Sequence, residues 1–251
     1  MKTAGVLVLI AGVSGLPFSA MAQLIERFDY EDGPLSQVSG GLWTIWPFYD
    51  DASVESGKAV QRYGQTNETD VFRVFDSVAT APGTSASFSY DVTVPDIYSD
   101  DHYRSYLWLS PYANGAEVID QSLVIDFNSE SANRVRLRVW EGQGNGQIFS
   151  RFVGYFAAGE TYTMSGVIAR GAKAAYSLFL DGSLVREGEF ALTDPNGLNV
   201  VELYGQPGRT GVVSYDNIEI LPVPEPATIL GLAGGAALLA WRRKTRRGPS
   251  P

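Results

Sequence analysis

The sequence predicts an all-β protein, an antiparallel two-sheet sandwich of jelly-roll type between an N-terminal export signal and a short apolar C-terminal segment. Three observations carry this. In Ser85-Ala86-Ser87-Phe88-Ser89-Tyr90-Asp91-Val92-Thr93-Val94 the apolar residues Phe88, Tyr90, Val92 and Val94 fall on alternate positions, and Arg134 to Trp140 sets Val135, Leu137 and Val139 against Arg134, Arg136, Arg138 and Trp140. That period of two marks half-buried strands. No stretch from Gln23 to Leu221 sustains a helical period. Turn residues divide nearly all the short apolar runs, and a dozen or so such runs with no helices between them favour two packed antiparallel sheets.

Residues 1–22 have the form of a secretory signal. Lys2 gives the positive start, Ala4 to Leu16 is apolar or small apart from Ser14, and Ala20-Met21-Ala22 is the small-residue pattern that places cleavage between Ala22 and Gln23. Residues 23–221 form the sandwich. Its expected strands are Leu24–Asp29, Gly41–Trp46, Lys58–Tyr63, Val71–Asp76, Ser85–Val94, Tyr103–Ser110, Gln121–Phe127, Arg134–Trp140, Ile148–Phe152, Thr161–Ala169, Ala175–Leu180, Leu184–Phe190, Asn199–Leu203 and Gly211–Leu221. Asp181-Gly182 predicts a tight hairpin, and Gly142 to Gly146 a flexible connection.

Residues 222–251 close the chain with three consecutive parts: Pro224-Glu225-Pro226, the uncharged segment 227–241, and a basic cluster of Arg242, Arg243, Lys244, Arg246 and Arg247. As a helix, 227–241 spans about 22 Å against a hydrocarbon thickness of about 30 Å, which is marginal for a permanent anchor. Trp241 sits where an interfacial aromatic belongs, and the basic cluster places the C-terminus in the cytoplasm. The body then lies outside, as the N-terminal signal requires independently.

This tail resembles the PEP-CTERM sorting signal of Gram-negative bacteria. The resemblance implies that an exosortase, a membrane-embedded transpeptidase, recognises Pro224-Glu225-Pro226 and removes the apolar helix. The inner membrane then holds the protein only transiently, and the body passes to the cell surface or extracellular matrix, commonly alongside exopolysaccharide. Proline on both sides of Glu225 keeps the motif extended and accessible. The body in turn resembles the concanavalin A-like lectin/glucanase (laminin G-like) jelly roll, in its opening Glu26-Arg27-Phe28-Asp29-Tyr30, in Ser177 to Val185, and in its closing Ser214 to Ile220. In such folds the first and last strands pair near each other.

Composition narrows the function. The chain holds 28 acidic against 19 basic residues, a formal net charge of −9, and six of the basic ones lie in the signal and the tail. So acidic a body argues against nucleic acid as a partner. With no cysteine and a single histidine, His102, neither a disulfide framework nor a histidine-rich zinc site is available. No nucleophile elbow or phosphate-binding loop occurs. Glucanases of the resembled superfamily place three carboxylates on one strand. Here Glu68 and Asp70 share a face, but Phe72 and Arg73 stand where the third would be, so the sequence favours a non-enzymatic protein.

Binding features remain. The loop 95–103 holds Asp96, Tyr98, Asp100, Asp101 and Tyr103, oxygen donors and aromatic faces suited to calcium and sugar. A full calcium-hand pattern is absent, which favours a plain polar turn. The Arg134, Arg136, Arg138 and Trp140 face either grips an anionic polysaccharide or is solvated and ion-paired. Trp43, Trp46, Phe48 and Tyr49 fill a core or line a cleft, with core favoured. Together these describe an exported envelope or matrix protein that contacts polysaccharide. The alternatives are a degenerate hydrolase or lyase on the same fold, and a structural component without a small ligand. Mass spectrometry of surface material should find a C-terminus near Pro226; intact chains ending at Pro251 on the outer surface would contradict the processing expectation.

Overall fold

The computed structural model describes residues 24–62, 68–94, 104–131, 133–206 and 212–223. In chain order its strands are β1 (Leu24–Glu26), β2 (Gly33–Pro34), β3 (Thr44–Ile45), β4 (Ser53–Glu55), β5 (Lys58–Arg62), β6 (Thr69–Val78), β7 (Ser85–Thr93), β8 (Arg104–Ser110) and β9 (Tyr112–Ala113). There follow β10 (Ala116–Glu117), β11 (Leu123–Ser131), β12 (Arg134–Gly142), β13 (Ile148–Ala157), β14 (Thr161–Arg170), β15 (Ala174–Leu180), β16 (Ser183–Phe190), β17 (Leu198–Gln206) and β18 (Val212–Val223). A one-turn helix, α1 (Leu35–Val38), and a 3-10 turn at Ile119–Gln121 are the helical elements among the described residues.

Two antiparallel sheets face each other. The back sheet runs β16-β15-β14-β7-β18-β5-β4-β2, with β1 added to β18; the front sheet runs β13-β12-β11-β8-β17-β6-β3. First and last strands pair as expected, Leu24 opposite Ile220 and Glu26 opposite Ile218. All these strands find their partners within residues 24–223. The inward residues of both sheets make one core that includes Phe28, Trp43, Tyr90, Leu107, Phe127, Leu137, Leu178 and Tyr215. Phe88, Tyr90, Val92 and Val94 point inward from β7, and Val135, Leu137 and Val139 from β12, as their alternation requires. Asp181 and Gly182 turn β15 into β16 with φ of 48° and 75°, the positive pair of a type I′ hairpin.

The differences from expectation have local causes. β1 stops at Glu26, because Phe28 takes a left-handed φ of 51° and gives its N–H to the Glu26 carboxylate at 2.8 Å. The run Gly41–Trp46 keeps only Thr44–Ile45 as strand, since Gly40 and Gly41 turn the chain at φ of 65° and 83°. β4 is an unexpected strand, joined to β5 through Ser56-Gly57. β18 continues to Val223, past the expected boundary at 221.

Buried carboxylates fasten the sheets together at two places. Glu26, 3% exposed on β1, accepts Trp43 Nε1 at 3.0 Å, the Tyr30 hydroxyl at 3.0 Å and the guanidinium of Arg73 on β6. Glu141 on β12 accepts the hydroxyl of Tyr176 on β15 at 2.6 Å, Arg186 of β16 at 3.3 Å and Arg151 at 3.1 Å. A Cβ on Gly188 would stand 2.5 Å from Glu141 Oε1, so this lock needs a glycine. Removing one partner of a buried ion pair strands the other, so Glu26→Ala should lower the urea unfolding free energy by about 3–5 kcal/mol. Gly188→Ala should cost about 1–3 kcal/mol by overpacking. Unchanged midpoints would show that the two glutamates do not fasten the sheets.

Candidate functional site

The outward face of the front sheet carries a continuous band of aromatic and ionisable side chains, and the strand register sets its order. Asp70 on β6 lies opposite Tyr204 on β17, Tyr204 opposite Tyr106 on β8, Tyr106 opposite Asp126 on β11, and Asp126 opposite Arg138 on β12. The neighbouring row is Phe72, Glu202, Trp108, Val124 and Trp140. Strands about 4.8 Å apart make a band of six, from β6 to β13, about 24 Å across.

Two adjoining cavities run along this band. One, of about 420 Å³, is lined by Trp46, Pro47, Tyr49, Asp70, Trp108, Ala116, Glu117, Ile119, Glu202 and Tyr204. The other, of about 260 Å³, is lined by Tyr106, Trp108, Val124, Trp140, Ile148 and Tyr204. Trp108 and Tyr204 belong to both, so the cavities form one cleft. Its roof comes from the segment after β3 and from the β9–β10 hairpin. Trp46 stacks on Phe72 with centroids 4.5 Å apart, and Tyr112 stacks on Phe72 at 5.8 Å and lies 6.4 Å from Trp46, so the three rings form one cluster. Between the lining residues Pro47 and Tyr49, Phe48 is 98% exposed with a left-handed φ of 78°. That conformation is uncommon for a bulky residue. A larger groove of about 550 Å³ along β2 and β4 has no aromatic wall, and the carboxylate of its Asp51 is taken by the backbone N–H and hydroxyl of Ser36.

One end of the cleft is acidic. Glu117 is hydrogen-bonded to Glu202, and Glu202 to Asp70, with Trp46 Nε1 donating to Glu202 at 3.2 Å and Ser110 donating to Glu117. Desolvation pushes Asp70 up to about 8, and the charges of Glu117 and Glu68 add to the rise. Desolvation likewise pushes Glu202 up to about 8, helped by Asp70, and it raises Glu117 well above the usual carboxyl range. The trio therefore holds protons at neutral pH, with the hydrogen bonds running from Glu117 to Glu202 to Asp70. Beside it, the Tyr204 hydroxyl donates to Glu68.

The opposite end is basic but largely engaged. Arg138 forms an ion pair with buried Asp126 and donates to it through Nε at 2.9 Å, and Trp140 Nε1 donates to the same oxygen at 3.0 Å. Arg136 donates to Asn128 at 3.4 Å. Arg134 lies over the ring of Tyr155, 4.2 Å from its centroid.

The structure thus brings the Arg134–Trp140 face and the Glu68–Asp70 pair onto one surface. A further carboxyl joins them from the next strand, because Glu202 faces Phe72 across the ladder. The aromatic group divides. Trp43 is core, at 1% exposure, whereas Trp46 and Tyr49 line the cleft and Phe48 stands free, which corrects the expectation of a core. Asp96, Tyr98, Asp100, Asp101, His102 and Tyr103 lie outside the described residues. So do the signal with Ala22 and Gln23, the motif Pro224, Glu225 and Pro226, the segment 227–241, and Arg242, Arg243, Lys244, Arg246 and Arg247. Glu117 and Glu202 escaped the sequence reading. The one signal for Glu202 was its alternation with Val201 and Leu203, and nothing marked Glu117.

Residues 222–244 match the PEP-CTERM protein-sorting motif, which indicates an exported precursor held in the membrane, processed by an exosortase and sorted to the cell surface. No curated protein matches the sequence. The body is similar to an alginate lyase solved with alginate trisaccharide (TM-score 0.55, 11% identity, covering 81% of this chain and 99% of that one). It is similar to the carbohydrate recognition domain of Emp47p (TM-score 0.53, 13% identity, 81% and 97%). It is also similar to an endo-1,3-β-glucanase from Streptomyces sioyaensis (TM-score 0.52, 12% identity, 83% and 99%). A sialidase matches 78% of this chain, which spans 18% of that enzyme, at TM-score 0.50 and 12% identity. At these identities the likeness shows the fold, a concanavalin A-like sandwich that both lectins and polysaccharide-cleaving enzymes share.

The raised carboxyls make stability depend on pH. Unfolded carboxyls ionise near pH 4 while Asp70 and Glu202 keep their protons to about pH 8, so the folded state binds more protons across that window. Their contribution to stability then falls as pH rises from about 4 to 8 and is level above it. Relative to the Asp70→Asn, Glu202→Gln double variant, the native protein should lose at least about 3 °C of melting temperature between pH 5 and pH 8. Parallel melting curves for the two proteins would show carboxyls that ionise normally.

Proposed function

We propose that this is a non-enzymatic, exosortase-processed protein of the Gram-negative cell surface or exopolysaccharide matrix, and that its sandwich binds polysaccharide along the front-sheet cleft. The aromatic cleft itself carries the reading. Trp46, Tyr49, Trp108, Tyr204, Tyr106 and Trp140 line one continuous channel. Flat aromatic faces with polar rims suit the alternating apolar and hydroxyl faces of pyranose rings. Exposed and strained, Phe48 offers a further ring at the entrance. At the far end, Arg134 and Arg136 stand where acidic substituents of a chain would pass, with Arg138 and Trp140 as the wall behind. Asp96, Asp100 and Asp101, with Tyr98 and Tyr103, belong to the connection from β7 to β8, and calcium there would bring a second sugar contact next to the strand that carries Tyr106 and Trp108.

Binding without cleavage fits the spacing of the acids. A retaining glycosidase holds two carboxyls about 5 Å apart on either side of the scissile bond. Here Glu117 is hydrogen-bonded to Glu202 and Glu202 to Asp70, so each neighbouring pair is joined directly instead of being set apart across a bond to be cut. The alternative, a degenerate hydrolase or lyase, draws its support from the same trio, since raised carboxyls in a cleft are what acid catalysis needs.

On a glycan array the 23–223 body should retain polysaccharides, and Trp108→Ala or Trp140→Ala should weaken binding at least about tenfold, the scale of losing a central aromatic anchor. No retained glycan would overturn the reading in favour of a purely structural matrix role. New reducing or unsaturated ends after incubation with a bound polymer would replace it with the enzymatic one.

A further inference from the structure

Among the described residues, Asp70, Glu202 and Glu117 at the acidic end of the cleft have no cation beside them. The described groups that face it are Asp70 from β6 and Glu68 just before it, Glu202 and Tyr204 from β17, Trp108 and Ser110 from β8, Glu117 from β10, and Trp46 and Tyr49 from the segment after β3. None of these is a lysine or an arginine. The other buried carboxylates of the body are treated differently: Glu26 has Arg73, Asp126 has Arg138, and Glu141 has Arg151 and Arg186. Glu117, Glu202 and Asp70 have only one another, a tryptophan N–H and a serine hydroxyl.

The hydrogen bonds within the trio also end unfinished. Asp70 is 5% exposed and lines the cleft, yet its Oδ1 accepts no hydrogen bond. On the adjoining wall Trp108 Nε1 donates to nothing. A buried acceptor without a donor costs about 1–3 kcal/mol, which is the energy a matching ligand recovers. The missing partner is therefore a donor for Asp70, set beside an acceptor for Trp108, in a site that has carboxyls and aromatic walls and no positive charge of its own.

We infer that this end of the cleft receives the protonated amine of an amino sugar, a 2-amino-2-deoxyhexose unit of a de-N-acetylated polysaccharide. The inference rests on the polysaccharide-binding reading and names the sugar class. An ammonium group brings three N–H donors, enough to reach Asp70 Oδ1 and its neighbours. Its charge gives the trio a counter-ion, so that acids held protonated without it can ionise. The faces of Trp46, Trp108 and Tyr204 then hold the ring and add cation–π attraction. A ring hydroxyl next to the amine supplies the acceptor for Trp108. A metal ion suits the site less well, because no three acidic side chains among the described residues converge as metal ligands do. An acidic sugar suits it least, since ionisation of the trio would repel it, and the arginines lie at the opposite end.

Isothermal titration of the mature protein with two hexasaccharides of the same β-1,4 backbone tests this, one of glucosamine and one of N-acetylglucosamine, with a neutral glucan hexasaccharide as reference. At pH 7 the glucosamine hexamer should bind at least about tenfold tighter than the N-acetylated one. Binding should release protons, read as heats that differ between phosphate and Tris buffers, because the ammonium draws the trio into its ionised form. Asp70→Asn with Glu202→Gln should abolish both the preference and the proton release, bringing the glucosamine hexamer to the affinity of the N-acetylated one. The proton release is read on the unmodified protein, so it stands even where the variant fails to fold. Equal affinity for the three hexamers overturns the amino-sugar inference and leaves the polysaccharide reading in place. Binding of none overturns both, and calcium that releases the same protons with no preference among the sugars assigns the trio to a metal.

Discussion

A carboxylate shut between two sheets must collect its donors from both, and that requirement ties the sandwich together. Glu26 sits on β1, paired into the back sheet through β18, and Arg73 reaches it from β6 of the front sheet. Trp43 adds its indole N–H from the loop that leads into β3. Glu141 does the same at the other side, from front-sheet β12 to Tyr176 and Arg186 of the back sheet. In the middle Ser105 of β8 meets Tyr215 of β18 and Gln61 of β5. Apolar packing supplies most of the driving force but is indifferent to register. These polar contacts admit one alignment of the sheets, and the order of side chains on the outer face follows from it.

Every carboxylate in these locks has a guanidinium or several neutral donors directed at it. The outer face of the front sheet departs from that rule in one place. Asp70 and Glu202 are as buried as Glu141, Glu117 lies partly buried beside them, and among the described residues none of the three has a cation, so they keep protons that ordinary carboxyls release. A fold that pairs its charges elsewhere carries an unpaired group at a cost to its own stability. Such local conflicts with otherwise consistent packing concentrate where a ligand is to be met.

Most of the sandwich was legible because its strands bury one face. β7 and β12 alternate cleanly, and β14 to β16 follow with turn residues at Asp181-Gly182. The site was hidden for the converse reason. Thr69 to Phe72 and Val200 to Leu203 are buried on both faces, since the Trp46 segment and the β9–β10 hairpin roof the sheet there. A continuous run of burial reads only as core, so Asp70 and Glu202 carried no mark of a cleft. Nor can a sequence show that Glu202 faces Phe72. Register between strands more than a hundred residues apart is settled by the three-dimensional alignment, so the meeting of Asp70 and Glu202 leaves no trace along β6 alone. Trp46 and Tyr49 were misjudged for a related reason, because a cluster of aromatics has the same composition whether it fills a core or walls a groove.

Topology also separates addressing from binding. The sorting motif begins at Pro222, inside β18, whose last residues Pro222 and Val223 still pair with Ala86 and Ser85. The motif is therefore attached directly to the centre of the back sheet. The cleft is on the outward face of the front sheet, and its lining residues all precede β17's end at Gln206. Among the described residues, no cleft side chain comes from β18. Removal of the residues after β18 takes none of these walls, donors or acids away, so the lining that forms when the body folds is retained after processing. Sorting decides where the protein resides and leaves what it can hold unchanged.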